Sequence, residues 1–252
     1  MGTDSCLVVP TLGERIEMLR QSLESVARNG AGTRAVVVAP ADRCEAIEPV
    51  VSQAGGVLLE QHGKGQSDAI NQGWAEQGLS ARWWTWLGDD DLLEPQSMQR
   101  CIAVLKQSPA ASMVWGAVRY IDVHGSPMFV FRPPPLYGPR LMRYGHNLVQ
   151  QPGSLLRRSA VEAVGHLDVT LRFAMDLDLF LRLSTHGPIV RLNDVLASFR
   201  WHEDSLTAGQ GNASEGEAAS VRRRYRPRRP TERWLERAAL TITHGQYWWS
   251  KR

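Results

Sequence analysis

Three adjacent carboxylates, Asp89, Asp90 and Asp91, follow directly on the apolar run Trp83-Trp84-Thr85-Trp86-Leu87. Packed side by side they repel one another, and a hard divalent cation, Mg²⁺ or Mn²⁺, relieves that repulsion while bridging to phosphate oxygens. The alternative is helix capping, because Pro95 follows shortly and carboxylates favour the positive end of a helix. Capping accounts for one aspartate comfortably and for three poorly. A second cluster, His62-Gly63-Lys64-Gly65-Gln66-Ser67-Asp68, offers glycines for close backbone approach, a point charge at Lys64 and the free N–H groups of a helix start. It lacks the Gly-Lys-Ser/Thr ending of a Walker loop, and alone it reads equally as a loop and cap. Together the two clusters suggest a nucleotide held from both sides.

These groups need a scaffold, and the first hundred or so residues supply strand-like and helix-like patterns in alternation. Leu7-Val8-Val9 ends at Pro10, and Ile16, Leu19, Leu23 and Val26 then recur at helical spacing until Asn29-Gly30. Ala35 to Val38 reads as a buried parallel strand, followed by a helix that Pro49 must start or kink. Val57 to Glu60 is a third strand, and Ser67 can cap a helix carrying Ala69, Ile70 and Trp74. Trp83 to Leu87 is a fourth strand, with Pro95 at the start of another helix. This order predicts an α/β domain with a mainly parallel sheet. In an open sheet of that kind ligands bind beyond the carboxyl ends of the strands, where the three aspartates lie.

The following stretch is more mixed. Met113 to Ile121 and Met128 to Phe131 read as a hairpin turned at His124-Gly125, Leu141 sits in a short helix, and Ser154 to Arg157 is extended. Ala174 to Thr185 reads as helix and Ile189 to Trp201 as strand. From Thr207 to Ser220 the composition shifts to Gly, Ala, Ser and Glu, which predicts a linker.

The chain has 252 residues, 43% of them hydrophobic, enough for one large domain with a real core and unlike a disordered, collagenous or coiled-coil chain. Its formal charge of +3 hides an asymmetry, since residues 221–252 carry +8 and residues 1–220 carry −5. Cys6, Cys44 and Cys101 form no CxxC pair, so a reducing, cytoplasmic compartment is expected. No apolar run is long enough to span a bilayer, and the opening Met-Gly-Thr-Asp predicts no leader and no lipid anchor.

The stretches GKGQSDAINQGW, WTWLGDDDLLEP, QPGSLLRRSAVEAVGHLDVTLRFAMDLDLFLRL and FRWHEDSLT, in this order after the opening VVPTLGER, resemble family 2 glycosyltransferases. The resemblance covers roughly residues 5–207. It implies the GT-A fold, a Rossmann-like, mainly parallel α/β sheet with flanking helices, a mixed acceptor-side half and, here, a helical C-terminal tail. The expected organisation is a GT-A domain over 1–206, with about 1–110 binding nucleotide-sugar and 111–206 facing the acceptor, then a linker over 207–220 and a basic, aromatic tail over 221–252.

Carried over by position, the resemblance implies a metal at Asp89, Asp90 and Asp91, with Asp90 first for direct ligation and His202 close to metal and diphosphate. It implies donor contacts at Pro10, Thr11, Lys64, Gln66, Asp68 and Asn71, and a catalytic base at Asp176. Asp178, two residues along the same helix, points elsewhere and supports structure. Trp201 is the candidate for stacking on a sugar face, with Arg200 beside it. Trp83, Trp84, Trp86 and Trp115 read as core. The position before the aspartates, often acidic or Asn in the family, is Gly88.

The implied reaction is inverting transfer from a nucleoside-diphosphate sugar, a UDP-sugar being the first expectation, to a hydroxyl of a glycan or lipid-linked acceptor. The implied setting is cell-surface polysaccharide or glycan synthesis, with Mn²⁺ or Mg²⁺ as cofactor. The competing expectations are a catalytically silent nucleotide-sugar-binding scaffold subunit and, third, a nucleotidyltransferase, which would release pyrophosphate. The tail reads two ways: peripheral contact with the inner face of an anionic membrane, or a basic helix packed on the domain or on a second subunit. No nucleic-acid motif accompanies it, so no nucleic-acid partner is expected.

Overall fold

The computed structural model describes residues 4–30, 32–134, 138–202, 211–225 and 237–245. The β-branched and apolar runs become strands β1 (Ser5–Pro10), β2 (Thr33–Ala39), β3 (Val57–Glu60) and β4 (Trp83–Trp86). Between them lie α1 (Ile16–Ala27), α2 (Ala41–Gln53) and α3 (Gln66–Gln77). The four strands are parallel, in the spatial order β3-β2-β1-β4, since each helical crossover returns the chain in the same direction.

The chain continues through β5 (Leu92–Leu93), α4 (Ser97–Gln107), β6 (Met113–Ile121), β7 (Pro127–Phe131), α5 (Pro139–Tyr144), β8 (Ser154–Arg157), α6 (Arg158–Val164), α7 (Met175–His186) and β9 (Ile189–Arg200). Two C-terminal helices follow, α8 (Gly211–Arg224) and α9, residues 237–245. All the strands join one sheet in the order β3-β2-β1-β4-β8-β6-β9-β5, with β7 paired to β6.

Strand directions decide where the ends meet. β8 is antiparallel to β4 and β6 is antiparallel to β8, so β6 points the same way as β4. β9 is parallel to β6. The chain leaving β9 at Trp201 and His202 therefore emerges at the same edge of the sheet as the chain leaving β4 at Asp89. Short β5 pairs Leu92 and Leu93 with Ser198 and Ala197, which ties the two exits together.

Side chains alternate across the sheet to form two cores. Leu7, Val9 and Val37 face α1, α2 and α4 through Leu19, Ile47 and Leu105. Val8 and Val36 face α3 and α7 through Ile70, Trp74 and Phe180. Trp83, Trp84, Trp86 and Trp115 are core residues as expected, and Trp74 and Trp84 stack with ring centroids 5.1 Å apart.

Four local expectations change. α2 does not start at Pro49 but runs from Ala41 to Gln53 with the proline inside it; burying Ile47, Val50 and Val51 at about 1.5–3 kcal/mol each outweighs the roughly 3 kcal/mol cost of an interior proline. Ser67 does not cap α3, which begins one residue earlier from Gly65 at φ +84°. α6 is an additional helix. The stretch expected to be a linker over 207–220 is helical from Gly211, and α8 lays Ala218, Val221 and Tyr225 against the core that includes α7. Residues 207–210 lie outside the described residues.

Candidate active site

The chain leaves β4 through Leu87, whose N–H donates to Val8 O at 2.9 Å, and turns at Gly88. A Cβ on Gly88 would stand 2.8 Å from an Asp90 carboxylate oxygen and 2.9 Å from one of Asp91, so a larger residue would have to displace both carboxylates. The three aspartates then diverge. Asp89 is buried and accepts from Thr11 Oγ1 at 2.5 Å, and burial raises its pKa despite that bond and the Arg15 charge. Asp91 is also buried and accepts the Arg200 backbone N–H at 2.9 Å. Burial, reinforced by the charge of Asp90, holds its carboxyl well above the usual range. Expected to form one cation shelf, the trio instead commits Asp89 and Asp91 to holding the β1 loop and β9, and Asp90 is turned toward His202.

His202 Nε2 lies 2.7 Å from Asp90 Oδ2. Arg15, from the loop before α1, places Nη1 2.9 Å from the same oxygen and 2.8 Å from the same ring nitrogen, and Nη2 3.2 Å from Asp89 Oδ1. The oxygen and imidazole donors suit Mn²⁺ or Mg²⁺ in kind, and they already converge on one cation, the guanidinium. Among the described residues no group of three His, Cys, Asp or Glu side chains forms a ready cage.

Asp176 stands in the first turn of α7. Its Oδ2 accepts from Asn147 Nδ2 at 3.2 Å and its Oδ1 from the Leu177 N–H at 2.7 Å. The surrounding protein removes enough water to push its pKa up to about 6, against the lowering effect of those bonds. Asn147 is oriented by the Val149 N–H, which donates to its Oδ1 at 3.1 Å and leaves Nδ2 for Asp176. Neighbouring Asp178 is buried and bonded to Arg182 Nε at 2.9 Å and to the Tyr225 hydroxyl at 2.6 Å, the supporting role expected of it.

Both C-terminal helices brace this region. Glu217 of α8 accepts the N–H groups of Arg172, Phe173 and Ala174 at 3.0, 2.6 and 2.7 Å, which pins the loop that leads into α7 up to its N-cap residue. Thr243 of α9 accepts the His146 N–H at 3.0 Å, next to Asn147. Part of the basic tail is also turned inward: Arg222 is buried against Glu215 at 2.7 Å, and Arg224 pairs with Asp168 at 2.9 Å.

The glycine loop reaches the same place. Ser67 Oγ donates to Met175 Sδ at 2.8 Å, which sets the start of α3 beside the start of α7. Lys64 is exposed, and Gln66 and Asp68 are partly exposed. Gly63 leaves its side-chain space to the Asp68 carboxylate, since a Cβ there would overlap it. Asn71, expected at the donor, is engaged elsewhere: its Nδ2 donates to Leu167 O at 2.9 Å and its Oδ1 accepts the Leu167 N–H at 3.1 Å. Thr11 is tied to Asp89, and Pro10 closes β1 beside it.

Arg200, expected to face an acceptor, is 1% exposed. Its Nε donates to Asp90 O at 2.9 Å, Nη1 to Val123 O at 3.0 Å and Nη2 to Gln21 Oε1 at 3.0 Å, so it braces the aspartate loop. Trp201 is 42% exposed and continues an aromatic row with Tyr120 and Phe199, at centroid distances of 6.4 and 6.5 Å.

The model of glycosyl transferase family 2 matches residues 6–165. The chain belongs to this family. No curated protein matches the chain. Solved structures place this glycosyltransferase among GT-A folds. A mannosyltransferase, PcManGT from Pyrobaculum calidifontis in complex with GDP-Man and Mn²⁺, is 13% identical at TM-score 0.66, over 98% of this chain and 74% of that one. TarS of S. aureus is 14% identical at TM-score 0.59, over 80% of this chain and 37% of that one. Its piece 1–349 with UDP-GlcNAc gives 12% and 0.61, over 97% and 81%. The glycosyltransferase thus spans little more than a third of full TarS, and at these identities the likeness is one of fold.

The family match ends before Asp176 and His202; sheet topology and side-chain contacts set His202 beside Asp90, and the Ser67–Met175 bond sets the start of the Asp176 helix beside the start of α3. Arg15, Asn147 and Glu217 were not singled out by sequence reasoning. Arg15 carried a signal, a cation just after the Pro10-Thr11 loop of an α/β sheet, whereas Asn147 and Glu217 carried none at local range.

Proposed function

We propose that this family 2 glycosyltransferase moves a sugar, with inversion, from a nucleoside-diphosphate sugar to an acceptor hydroxyl. A UDP-sugar donor and a glycan or lipid-linked acceptor in cell-surface polysaccharide synthesis are the specific reading. The observation that carries it is Asp176, a buried carboxylate whose pKa is pushed up to about 6, in the first turn of the helix whose start is bonded to the start of α3 through Met175 and Ser67.

Asp176 accepts the proton of the acceptor hydroxyl as that oxygen bonds to the anomeric carbon, and the bond from that carbon to the diphosphate breaks on the opposite face. A base ionising at about 6 is deprotonated at neutral pH yet basic enough to take the proton. Asn147 and the Leu177 N–H hold the carboxylate in place. Asp90 and His202 would hold Mn²⁺ or Mg²⁺, which when bound offsets charge developing on the diphosphate. Asp89 turns one oxygen to the guanidinium in that site and the other to Thr11, and Asp91 braces it from β9. Pro10, Thr11, Lys64, Gln66 and Asp68 form the donor side, and Trp201 with Tyr120 offers an aromatic face to a sugar of the acceptor.

Support for the donor class comes from the relatives, whose structures hold UDP-GlcNAc and GDP-Man, with Mn²⁺ in the second. In the domain reading, residues 1–110 bind donor and 111–206 face the acceptor, with α8 and α9 belonging to the same unit. No helix of the described residues is long and apolar enough to cross a membrane; the net basic charge of residues 221–252 would mediate peripheral contact at the inner face. A thermal-shift panel of nucleotide-sugars with Mn²⁺, followed by detection of released nucleoside diphosphate with acceptor present, tests the reading. Stabilisation by one donor and acceptor-dependent release are expected. Binding without any release would favour a silent scaffold, and pyrophosphate release a nucleotidyltransferase.

A further inference from the structure

We propose that Arg15 is the resident cation of the Asp90–His202 site, and that it yields this place only when a divalent cation and a nucleoside diphosphate arrive together. The proposal rests on the reading of Asp90 and His202 as the metal-holding pair.

One ring nitrogen is asked to do two things. His202 Nε2 sits 2.7 Å from an Asp90 carboxylate oxygen and 2.8 Å from an Arg15 guanidinium nitrogen. Protonated, it can donate to Asp90 but then meets the Arg15 donor head-on; unprotonated, it can accept from Arg15 but then faces the carboxylate with a lone pair. No single tautomer satisfies both neighbours. A divalent cation between Asp90 and the imidazole lone pair resolves the conflict, but it brings two positive charges beside a third.

Arg15 is built to move. It is the residue before α1, with φ −112° and ψ 61°, outside the helical repeat, and its side chain is 40% exposed. Its bonds to Asp89 and Asp90 join a guanidinium that is 40% exposed to carboxylates that are 9% and 14% exposed, so the side chain has room to leave but the carboxylates need another cation in its place. Displaced from the carboxylates, the guanidinium needs an anion, and a diphosphate offers the paired oxygens that its fork fits. Metal binding and nucleotide binding therefore become coupled: each removes the obstacle to the other, and the coupling is reciprocal. Without nucleotide, the arginine keeps the site closed to free divalent ions.

Titration of the full chain with Mn²⁺, following the electron paramagnetic resonance signal of free Mn²⁺, tests this with and without UDP or GDP. Arg15→Met keeps the apolar stem and removes the charge. Without nucleotide it should bind Mn²⁺ about two- to fivefold more tightly than the wild type, the scale of one competing ion pair removed. With nucleotide the gap should close or reverse, because the variant has lost its phosphate partner. Arg15→Lys, which keeps the charge without the fork, should fall between them and serves if the Met variant fails to fold. Equal Mn²⁺ affinity of wild type and variants without nucleotide would overturn the role of Arg15 alone. No Mn²⁺ binding by any of them, even with UDP or GDP, would overturn the metal reading and this proposal with it.

Discussion

The Glu217 carboxylate accepts the Ala174 N–H at 2.7 Å, and Ala174 is the residue from which the helix carrying Asp176 starts. A side chain of α8 thus fixes the entry of the helix that holds the proposed base.

Glu217→Ala should remove three bonds to backbone donors at once. A lost N-terminal cap costs about 1–2 kcal/mol, so a lower melting temperature is expected. The more telling effect is on rate: a loosened Asp176 should lower kcat by about ten- to a hundredfold. Affinity for UDP should stay within about twofold, because Glu217 touches neither the glycine loop nor the aspartate loop. Glu217→Gln, which keeps acceptor oxygen, should recover part of the loss. Stopped-assay kinetics beside calorimetric binding of UDP separates these effects.

Asp176 should itself cost the fold stability at neutral pH. Its pKa in the folded protein is raised to about 6, so between the ordinary carboxylate value and about 6 the folded state holds a proton that the unfolded chain has released. Stability falls as pH rises through that window. Asp176→Asn stays neutral and should be more stable than the wild type by about 1–3 kcal/mol at about pH 7.5, with the advantage vanishing near about pH 4. Urea titrations at the two pH values measure the difference. The wild-type transfer rate should rise with pH through about 6, as the carboxylate forms.

Gly88→Ala should damage the aspartate loop without touching the core. The added methyl would meet the carboxylates of Asp90 and Asp91 at 2.8 and 2.9 Å. Overpacking of this kind costs about 1–3 kcal/mol, here taken from the geometry of Asp90. Mn²⁺-dependent affinity for UDP should fall by about tenfold or more, read by calorimetry, while UDP binding without Mn²⁺ changes little.

Much of this was legible in sequence, and what was not has a physical reason. Strands such as Ala35–Val38 and helices such as Ile16–Ala27 declare themselves through periodicity, because each buries one repeating set of side chains. The aspartate loop followed from its place after an apolar strand. The stretch 207–220 misled because Gly, Ala, Ser and Glu are also linker residues; the signal that marks it as helix is the spacing of Ala218, Val221 and Tyr225, which continues past the compositional boundary. Arg200 misled for another reason: adjacency to Trp201 and His202 in a strand says nothing of inside or outside until the partner strands are known. Asp89 and Asp91 could not be told from Asp90 by type, since only the contacts of Thr11 and of the Arg200 N–H distinguish them. The bond from Glu217 to Ala174 joins residues 43 positions apart and depends on the docking of α8.

Proton transfer from the acceptor hydroxyl to the Asp176 carboxylate is measured by the transfer rate of Asp176→Asn at saturating donor and acceptor. A fall of about 10²–10⁴-fold against the wild type is expected, with UDP affinity in the presence of Mn²⁺ preserved. Transfer by Asp176→Asn at the wild-type rate would contradict it.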